Sequence, residues 1–175
     1  KIDPEIIEDY TINEIKKLSP EVKIEVLTPD FQGNVNDINT VIHAKPEVFN
    51  HNIETVKRLY PIARPQADYE RSLNFLSYIK QHSPELYTKS GLMVGLGETL
   101  EEIEELFSDL KNHNCDIVTI GQYIQPTKKH LKVEKFYTPE EFEDLKNLAL
   151  KIGIKHPVSF PLARSSYKAG EIFES

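Results

Sequence analysis

Apolar residues along the chain alternate between short continuous runs and longer segments with helical spacing. Residues 22–27, 48–49, 92–94 and 117–120 are short apolar runs of the kind that forms strands. Each run is followed by a segment in which apolar residues recur every three or four positions. This repeated order of strand and helix indicates a parallel sheet with right-handed crossovers. The expected fold class is α/β, a partial (β/α) TIM-type barrel with about four parallel βα units.

Capping residues mark several helix boundaries. Thr99 stands three residues before Glu102, and Thr138 three residues before Glu141, which is the spacing of a capping box. Gly153 is expected to end the second of these helices. The other predicted helices cover residues 12–18, 36–44, 53–60 and a segment that begins after Asp68. The helix after Thr99 is expected to bury Leu100, Ile103, Leu106, Phe107 and Leu110.

Residues 88–98, Thr-Lys-Ser-Gly-Leu-Met-Val-Gly-Leu-Gly-Glu, combine a predicted buried strand with a tight glycine turn. Because the amide groups at a helix start attract anions, the turn is a candidate phosphate cradle. However, it lacks the third glycine of the dinucleotide fingerprint, and the acids at Glu98 and in residues 101–105 would repel phosphate. The turn then serves either close packing of strand and helix or a neutral or zwitterionic ligand that hydrogen bonds Glu98.

Polar side chains follow every predicted strand at its carboxyl end. They are Asp30 and Gln32, then His51, Asn52 and Glu54, then Glu98, and finally Gln122 and Gln125. Parallel α/β folds bind ligands at this edge of the sheet. Amino-edge segments such as residues 80–83 are expected to be ordinary solvated connections, so the asymmetry predicts a site at the carboxyl edge.

Individual polar residues leave alternatives open. Asn52 either caps a following helix or lines a pocket, and His51 with Glu54 is weak evidence for a metal. Lys89 lies in a strand of small and apolar residues. It must therefore meet an acid or lie at the start of the strand.

Composition restricts the class of protein. The chain has 175 residues, of which 39% are hydrophobic and 28% charged, and its net charge is −7. These values indicate one domain and argue against a nucleic-acid partner held by bulk charge. The single cysteine, Cys115, excludes an internal disulfide framework and a cysteine-rich metal site made by this chain alone. The first residues lack the pattern of a signal peptide, so an intracellular location is expected.

Five blocks of the sequence resemble motifs of the lipoyl synthase family, in family order and spacing. The blocks are Val-Leu-Thr-Pro-Asp-Phe-Gln-Gly, His-Asn-Ile-Glu-Thr-Val, Thr-Lys-Ser-Gly-Leu-Met-Val-Gly-Leu-Gly-Glu-Thr, Gly-Gln-Tyr-Ile-Gln-Pro-Thr and Arg-Ser-Ser-Tyr-Lys-Ala-Gly. The resemblance extends from about Tyr10 to Phe173. It implies an unmatched segment 1–9, the carboxyl-terminal half of a radical S-adenosylmethionine (SAM) partial barrel over 10–157, and a tail 158–175.

The resemblance implies an enzyme that inserts two sulfur atoms, at C6 and C8, into an octanoyl chain on a lysine of a lipoyl carrier domain. The implied cofactors are SAM and two 4Fe–4S clusters. One cluster reductively cleaves SAM to a 5′-deoxyadenosyl radical, and the auxiliary cluster supplies the sulfurs. The strong C–H bonds explain why a cofactor must carry this chemistry.

The implied partners are octanoylated carrier domains, in 2-oxoacid dehydrogenase E2 subunits and the glycine cleavage H protein. An electron donor such as flavodoxin or ferredoxin is also implied. Nucleic acid and membrane are not expected partners. The expected location is the cytoplasm, with a mitochondrion or plastid left open.

The resemblance also implies roles for individual residues. Ser165 would be an oxygen ligand to one iron of the auxiliary cluster, with Ser166 as the alternative. Arg64 and Arg71 would contact substrate, and no residue of this segment is assigned as catalytic. The implied cofactor pocket comprises Asn52, Glu54, Lys89, Gly95, Gly97, Glu98, Gln122 and Tyr123.

One departure from the family bears on activity. Lipoyl synthases carry two cysteine triplets for their clusters, whereas this chain has only Cys115. Because such clusters need thiolate ligands, the polypeptide as given cannot hold either one and is expected to be an inactive fragment of the enzyme. The alternatives are a cluster-free paralogue that binds octanoylated or lipoyl carrier domains, and a half-barrel hydrolase that uses Glu98.

Overall fold

All strands of the computed structural model, which describes residues 4–164, lie parallel in one sheet. Their spatial order follows their order in the sequence. Within the described residues the strands are β1 (Glu25–Leu27), β2 (Val48–Asn50), β3 (Tyr87–Val94), β4 (Ile117–Gln122) and β5 (His156–Ser159). The predicted α/β class is therefore confirmed, and the open sheet is that of a partial barrel.

Helices connect successive strands and cover one face of the sheet. They are α1 (Pro4–Leu18), α2 (Val35–His43), α3 (Tyr60–Ala63), α4 (Tyr69–His82), α5 (Leu100–Asn112) and α6 (Pro139–Ile152). Short 3₁₀ turns occupy Phe31–Gly33 and Lys57–Leu59. Across residues 4–164, no helix is long and apolar enough to cross a membrane.

The two faces of the sheet differ in chemistry because side chains alternate along each strand. Leu92 and Val118 belong to the hydrophobic core that the helices complete. The residues between such core positions, including Gly91, Met93 and Gly121, line a cleft on the opposite face. We call this opposite side the inner face, since it corresponds to the interior of a barrel.

The capping predictions are confirmed. Thr99 and Glu102 form a complete capping box at α5, and Thr138 and Glu141 form one at α6. Gly153 ends α6 in the left-handed conformation, with φ at 105°. Leu100 was expected to be buried, but it is 59% exposed. It occupies the first helical position, which points away from the core.

Other element predictions were incomplete or wrong. The sheet has a fifth strand, β5, where four strands were expected, and α1 begins at Pro4 rather than near residue 12. The helix predicted over 53–60 is wrong, since residue 54 pairs with β3 as an isolated bridge. Only its end is helical, in the turn Lys57–Leu59 and the start of α3. Pairing with the sheet outweighs local helical spacing there.

A buried carboxylate holds the amino edge of the sheet together. Asp116, whose side chain is 2% exposed, accepts hydrogen bonds from Lys80 at 2.7 Å, Lys155 at 2.6 Å and the Thr88 amide at 3.1 Å. Burial alone would raise the pKa of Asp116, but Lys155, Lys80 and the Thr88 amide hold this pKa below its usual value. Lys80 is therefore a structural residue, contrary to the expectation of a solvated connection.

The Asp116→Ala substitution is expected to destabilise the protein by about 3 kcal/mol, because it leaves Lys80 and the Thr88 amide without their buried acceptor. Chemical unfolding in urea at neutral pH would measure this loss. Because the folded-state pKa is lowered, the contribution of the carboxylate is present above its unfolded pKa. The difference between wild type and variant should therefore shrink as the pH falls below about 4.

The matched control is Lys155→Ala, which removes the more exposed ammonium group and keeps the carboxylate paired with Lys80. Its side chain is 65% exposed, so a loss of less than about 1 kcal/mol is expected. Equal losses in the two variants, or a pH-independent loss for Asp116→Ala, would contradict this account of the network.

Candidate functional site

A cleft of about 180 Å³ opens on the inner face at the carboxyl ends of the strands. We call it the inner cleft. It lies between β3 and β4 and is lined by Asn52, Glu54, Gly91, Gly121 and Arg164, among others. The predicted location of a site at the carboxyl edge thus coincides with a cavity, and three of the predicted pocket residues, Asn52, Glu54 and Gln122, line its wall.

Glu54 has the most unusual backbone of the inner cleft. Its φ is 68°, in the left-handed region, which costs a non-glycine residue about 1 kcal/mol. Its amide donates to the Gly91 carbonyl at 2.9 Å, and its carbonyl accepts from the Met93 amide at 2.8 Å. These bonds to β3 hold the residue in place. Its carboxylate has no hydrogen bond or ion pair to any described residue.

Asn52 lies directly against the glycine of the strand beside it. A Cβ added at Gly91 would stand 2.7 Å from Asn52 Oδ1, so a side chain there would displace the amide. Asn52 Oδ1 is buried and has no hydrogen-bond partner among the described residues. The alternative role of Asn52 as a helix cap is wrong, because no helix begins there in the described structure. The amide is therefore available to a ligand in the inner cleft.

A larger cleft of about 490 Å³ adjoins the inner cleft and shares Glu54, Met93 and Ile124 with it. We call it the apolar cleft, since Ile62, Leu96 and Leu131 are also part of its lining. Most of its wall is apolar, and its charged groups lie among apolar side chains. The two clefts together could accommodate a polar group beside an aliphatic one.

Arg64 and Tyr123 also line the apolar cleft, and each forms hydrogen bonds with neighbouring polar groups. Arg64 donates to the Asn52 carbonyl at 3.0 Å and to the Tyr60 hydroxyl at 3.2 Å. Both acceptors are uncharged, so its guanidinium has no carboxylate partner in the described part of the chain. Tyr123 is buried, and its hydroxyl donates to the Leu131 carbonyl at 2.8 Å.

The glycine turn is occupied by its own carboxylate. Glu98 accepts hydrogen bonds from the Gly95 amide at 2.6 Å, the Leu96 amide at 2.9 Å and the Tyr137 hydroxyl at 3.1 Å. Burial and the charge of Glu98 raise the pKa of Tyr137, so this hydroxyl remains a donor. The amides that would cradle a phosphate are therefore already satisfied by an internal anion, and Glu98 is not free for a ligand.

Gln122 has an equally complete set of internal partners. Its amide nitrogen lies within 3.1 Å of the carbonyls of Val94, Tyr123 and Lys135, and its oxygen accepts from the Tyr137 amide at 3.0 Å. A Cβ at Gly95 would collide with both Gln122 Nε2 and the Lys135 carbonyl. Gly95 and Gln122 therefore hold the turn against the loop before α6, and Gly97, with φ at 99°, completes that turn.

Lys89 meets an acid, which is one of the two outcomes that its place in a buried strand left open. Its ammonium group lies 2.8 Å from Glu25 of β1, and the side chain is 2% exposed. Asn50 donates to the other oxygen of Glu25 at 3.0 Å. This group lies near the start of β3 and does not line the inner cleft, so the structure does not bring Lys89 together with Asn52 and Glu54.

Arg71 lines a third cavity, the arginine cleft, together with Arg64, His51 and Asp30. Burial opposes ionisation of Asp30, but Arg71 at 2.6 Å holds the pKa of Asp30 below its usual value. Burial also lowers the pKa of His51, so the imidazole is neutral. Its Nδ1 donates to the Thr28 carbonyl, and its Nε2 lies 3.1 Å from the Ser72 hydroxyl.

The described residues do not fit a metal cluster. No group of three histidine, cysteine or acidic side chains within residues 4–164 is arranged to bind a metal ion. Cys115 is buried, and burial raises the pKa of its thiol to about 12, the opposite of what a thiolate ligand needs. Ser165 and its alternative Ser166 lie outside the described residues.

Several lining residues were missed by reasoning from the sequence. Gly91, Met93, Thr119 and Gly121 line the inner cleft, yet no site role was assigned to them. The available signal was their alternation with the core residues of β3 and β4. Arg164 was assigned only to the tail motif, and its place beside Gly121 depends on how the segment after β5 folds back.

Comparisons with known proteins identify related families and folds. A family model for the radical SAM superfamily matches residues 3–110. A lipoyl synthase of Caldanaerobacter subterraneus subsp. tengcongensis is 55% identical over 159 residues, 91% of this chain and 56% of that protein. A lipoyl synthase of Bacillus subtilis is 51% identical over 161 residues, 92% of this chain and 54% of that protein. The chain thus spans about half the length of these curated relatives.

Two solved structures support the fold. A domain of a pyruvate-formate lyase-activating enzyme from Bacteroides vulgatus matches with a TM-score of 0.63 at 11% identity, covering 90% of this chain and 94% of that chain. Methylornithine synthase matches with a TM-score of 0.63 at 14% identity, covering 91% of this chain and 53% of that chain. At such low identity the likeness concerns the fold alone.

The Gly95→Ala substitution is expected to destabilise the protein by at least about 3 kcal/mol, because strain at positive φ adds to overpacking against Gln122 and Lys135. Gly97→Ala is the matched control. It has a similar φ, but its Cβ would meet only the flexible Glu134 side chain at 3.4 Å. The control should lose about 1 to 2 kcal/mol in urea unfolding. Equal losses would show that backbone strain alone, and not close packing, governs the turn.

Proposed function

The chain belongs to the radical SAM superfamily, and on this premise we propose that it is part of a lipoyl synthase. Such an enzyme inserts two sulfur atoms at C6 and C8 of a protein-bound octanoyl-lysine. The proposal is supported by curated relatives that are more than half identical over most of this chain. Their full length is about twice the part matched here, so the activity belongs to the intact protein.

The observation that carries the proposal is the carboxylate of Glu54 in the inner cleft, which has no hydrogen bond or ion pair to any described residue. SAM bears positive charge on its sulfonium and its ammonium group. A carboxylate without an internal partner, fixed in place by backbone bonds to β3, is a suitable counter-charge for such a cation. The strained φ of Glu54 is consistent with a binding role, since strain of this kind concentrates at ligand sites.

The surrounding residues fit the uncharged parts of the same ligand. Asn52 offers a buried oxygen without a partner to an amide or hydroxyl donor. Gly91 and Gly121 keep the sheet surface bare, because a Cβ at either position would stand less than 3 Å from a neighbouring atom. Gln122 and Tyr123 form the wall at the end of β4, and Gly95, Gly97 and Glu98 hold that wall in place. Lys89 of β3 pairs with Glu25 of β1 and so stabilises the part of the sheet that lies below this wall.

The apolar cleft provides a site for the acyl chain. It shares Glu54 and Met93 with the inner cleft, so an aliphatic chain there would lie beside a ligand bound at Glu54. Arg64 lies in the wall of both the apolar cleft and the arginine cleft, where its guanidinium can bind the carbonyl of an acyl amide. Arg71 can reach the same substrate only from the arginine cleft.

The remaining parts of the proposal extend beyond the described residues. When bound, the two 4Fe–4S clusters and SAM supply the radical chemistry and the sulfur. The described residues do not fit the clusters, so their thiolate ligands must come from elsewhere in the intact protein. Ser165, with Ser166 as the alternative, is proposed as an iron ligand. The proposed location is the cytoplasm, with octanoylated E2 or H-protein domains as substrates and flavodoxin or ferredoxin as electron donor.

Anaerobic assay of the full-length protein tests the function directly. After iron–sulfur reconstitution, we expect two clusters per chain and conversion of an octanoylated carrier domain to its lipoylated form, measured by mass spectrometry. A full-length protein that binds the carrier but holds no cluster would instead favour the cluster-free binding module. Hydrolysis of the acyl amide without sulfur insertion would favour a hydrolase.

The Glu54→Gln substitution in the full-length enzyme is expected to weaken SAM binding about tenfold, since one charge-assisted interaction is lost. Isothermal calorimetry measures this affinity independently of turnover. Glu104→Gln is the control, because Glu104 is an exposed acid of α5 outside the clefts. Unchanged affinity for Glu54→Gln, or an equal loss in the control, would remove Glu54 from the cofactor site.

A further inference from the structure

A basic surface lies beside the apolar cleft, in the loop between β4 and α6. It consists of Lys128, Lys129 and Lys132, all of which are exposed. Their ammonium groups form no hydrogen bond or ion pair with any described residue. The three residues form a positive cluster although the chain as a whole carries a net charge of −7. We call these three residues the lysine surface.

The loop that carries the lysine surface is held in one conformation. The carbonyls of Leu131 and Lys135 accept from Tyr123 and Gln122, and the Glu134 amide donates to the Gly95 carbonyl at 2.9 Å. At the loop tip, Gln125 Nε2 donates to the His130 carbonyl at 2.8 Å. These hydrogen bonds distinguish the loop from a disordered, fully solvated connection. The lysines are therefore presented on a rigid support, which lowers the entropic cost of binding a partner.

Other charges in the loop do not cancel this surface. Lys135 pairs with Glu141 at 2.6 Å and lies over the Tyr137 ring, so it is not part of the surface. Glu134 is exposed and opposes one of the three positive charges. The net charge of the exposed loop remains positive, and the adjoining apolar cleft holds one group of each sign, the Arg64 guanidinium and the Glu54 carboxylate.

The position of the surface points to the partner. Lys129, His130 and Leu131 line the apolar cleft, and Lys128 and Lys132 flank them in sequence. A protein-bound acyl chain can enter that cleft only if the protein surface around its lysine lies against the rim. The acylated lysine is itself uncharged, so the lysine surface would face the residues beside it. We infer that Lys128, Lys129 and Lys132 bind an acidic surface of the carrier domain next to its acylated lysine.

This inference rests on the proposed function for the nature of the partner. Nucleic acid and anionic lipid are less well matched, since three lysines on a chain of charge −7 supply little of the charge that such partners need. An acidic protein patch of matching size needs only a few contacts. Charges at the rim of an interface mainly accelerate association and make it sensitive to salt.

The test compares the full-length enzyme with its Lys128→Gln/Lys132→Gln variant, because neither residue lines the inner, apolar or arginine cleft. Binding to a purified octanoylated carrier domain is measured by biolayer interferometry at low and physiological salt. The variant should bind about fivefold more weakly at low salt, chiefly through slower association, and the difference should shrink as salt rises. Its SAM affinity and its turnover of a short neutral octanoyl-lysine peptide should equal those of wild type.

The control variant is Lys111→Gln/Lys151→Gln, which removes the same charge from the far ends of α5 and α6. Equal losses in both variants, unchanged carrier affinity, or a loss that also affects the neutral peptide would overturn the inference. Binding of wild type to phosphatidylglycerol vesicles that requires the same lysines would also overturn it. Carrier binding that depends on the lysines without any lipoyl formation would refute the proposed function and leave the docking surface intact.

Discussion

Close packing around Gly95 is the constraint on which the carboxyl edge of the sheet depends. Glu98 accepts from the Gly95 and Leu96 amides, and Gln122 ties the end of β4 to the loop before α6. No side chain fits at Gly95 between these groups. The same contacts shape the wall of the apolar cleft and fix the loop that presents the lysine surface. Site and surface thus depend on one glycine turn, and local loosening there would alter both.

The two edges of the sheet divide stability from function. At the amino edge, buried Asp116 accepts hydrogen bonds from two ammonium groups and an amide, which compensate its charge. At the carboxyl edge, Glu54 is strained and its carboxylate has no partner among the described residues. Removing one partner of a paired buried charge destabilises a fold, whereas a partly exposed carboxylate without an internal partner can be completed by a ligand. Asp116 and Glu54 are both acids, but their hydrogen-bond partners assign the first to stability and the second to the proposed ligand binding.

Local signals were the most reliable guide to the fold. The capping boxes at Thr99 and Thr138 were predicted correctly because every atom of a capping box lies within four residues of the chain. Residues 53–60 were mistaken for a helix because their pattern is helical while their partner, β3, is distant in sequence. The short β5 was missed for a similar reason, since pairing with β4 and not its own composition makes it a strand.

By itself, the sequence determined the α/β class, the capped ends of α5 and α6 and the edge of the sheet at which the inner cleft opens. It also predicted that Lys89 either meets an acid or lies at the start of its strand, because an unpaired buried ammonium group is costly. Only the tertiary structure decided which polar residues are free. Glu98 and Gln122 resemble ligand-binding residues in the sequence, but their partners come from elsewhere in the chain and occupy them fully. Glu54 is bonded to the sheet through its backbone, and its carboxylate has no hydrogen bond or ion pair to any described residue. Availability for a ligand depends on such long-range contacts, which no local pattern encodes.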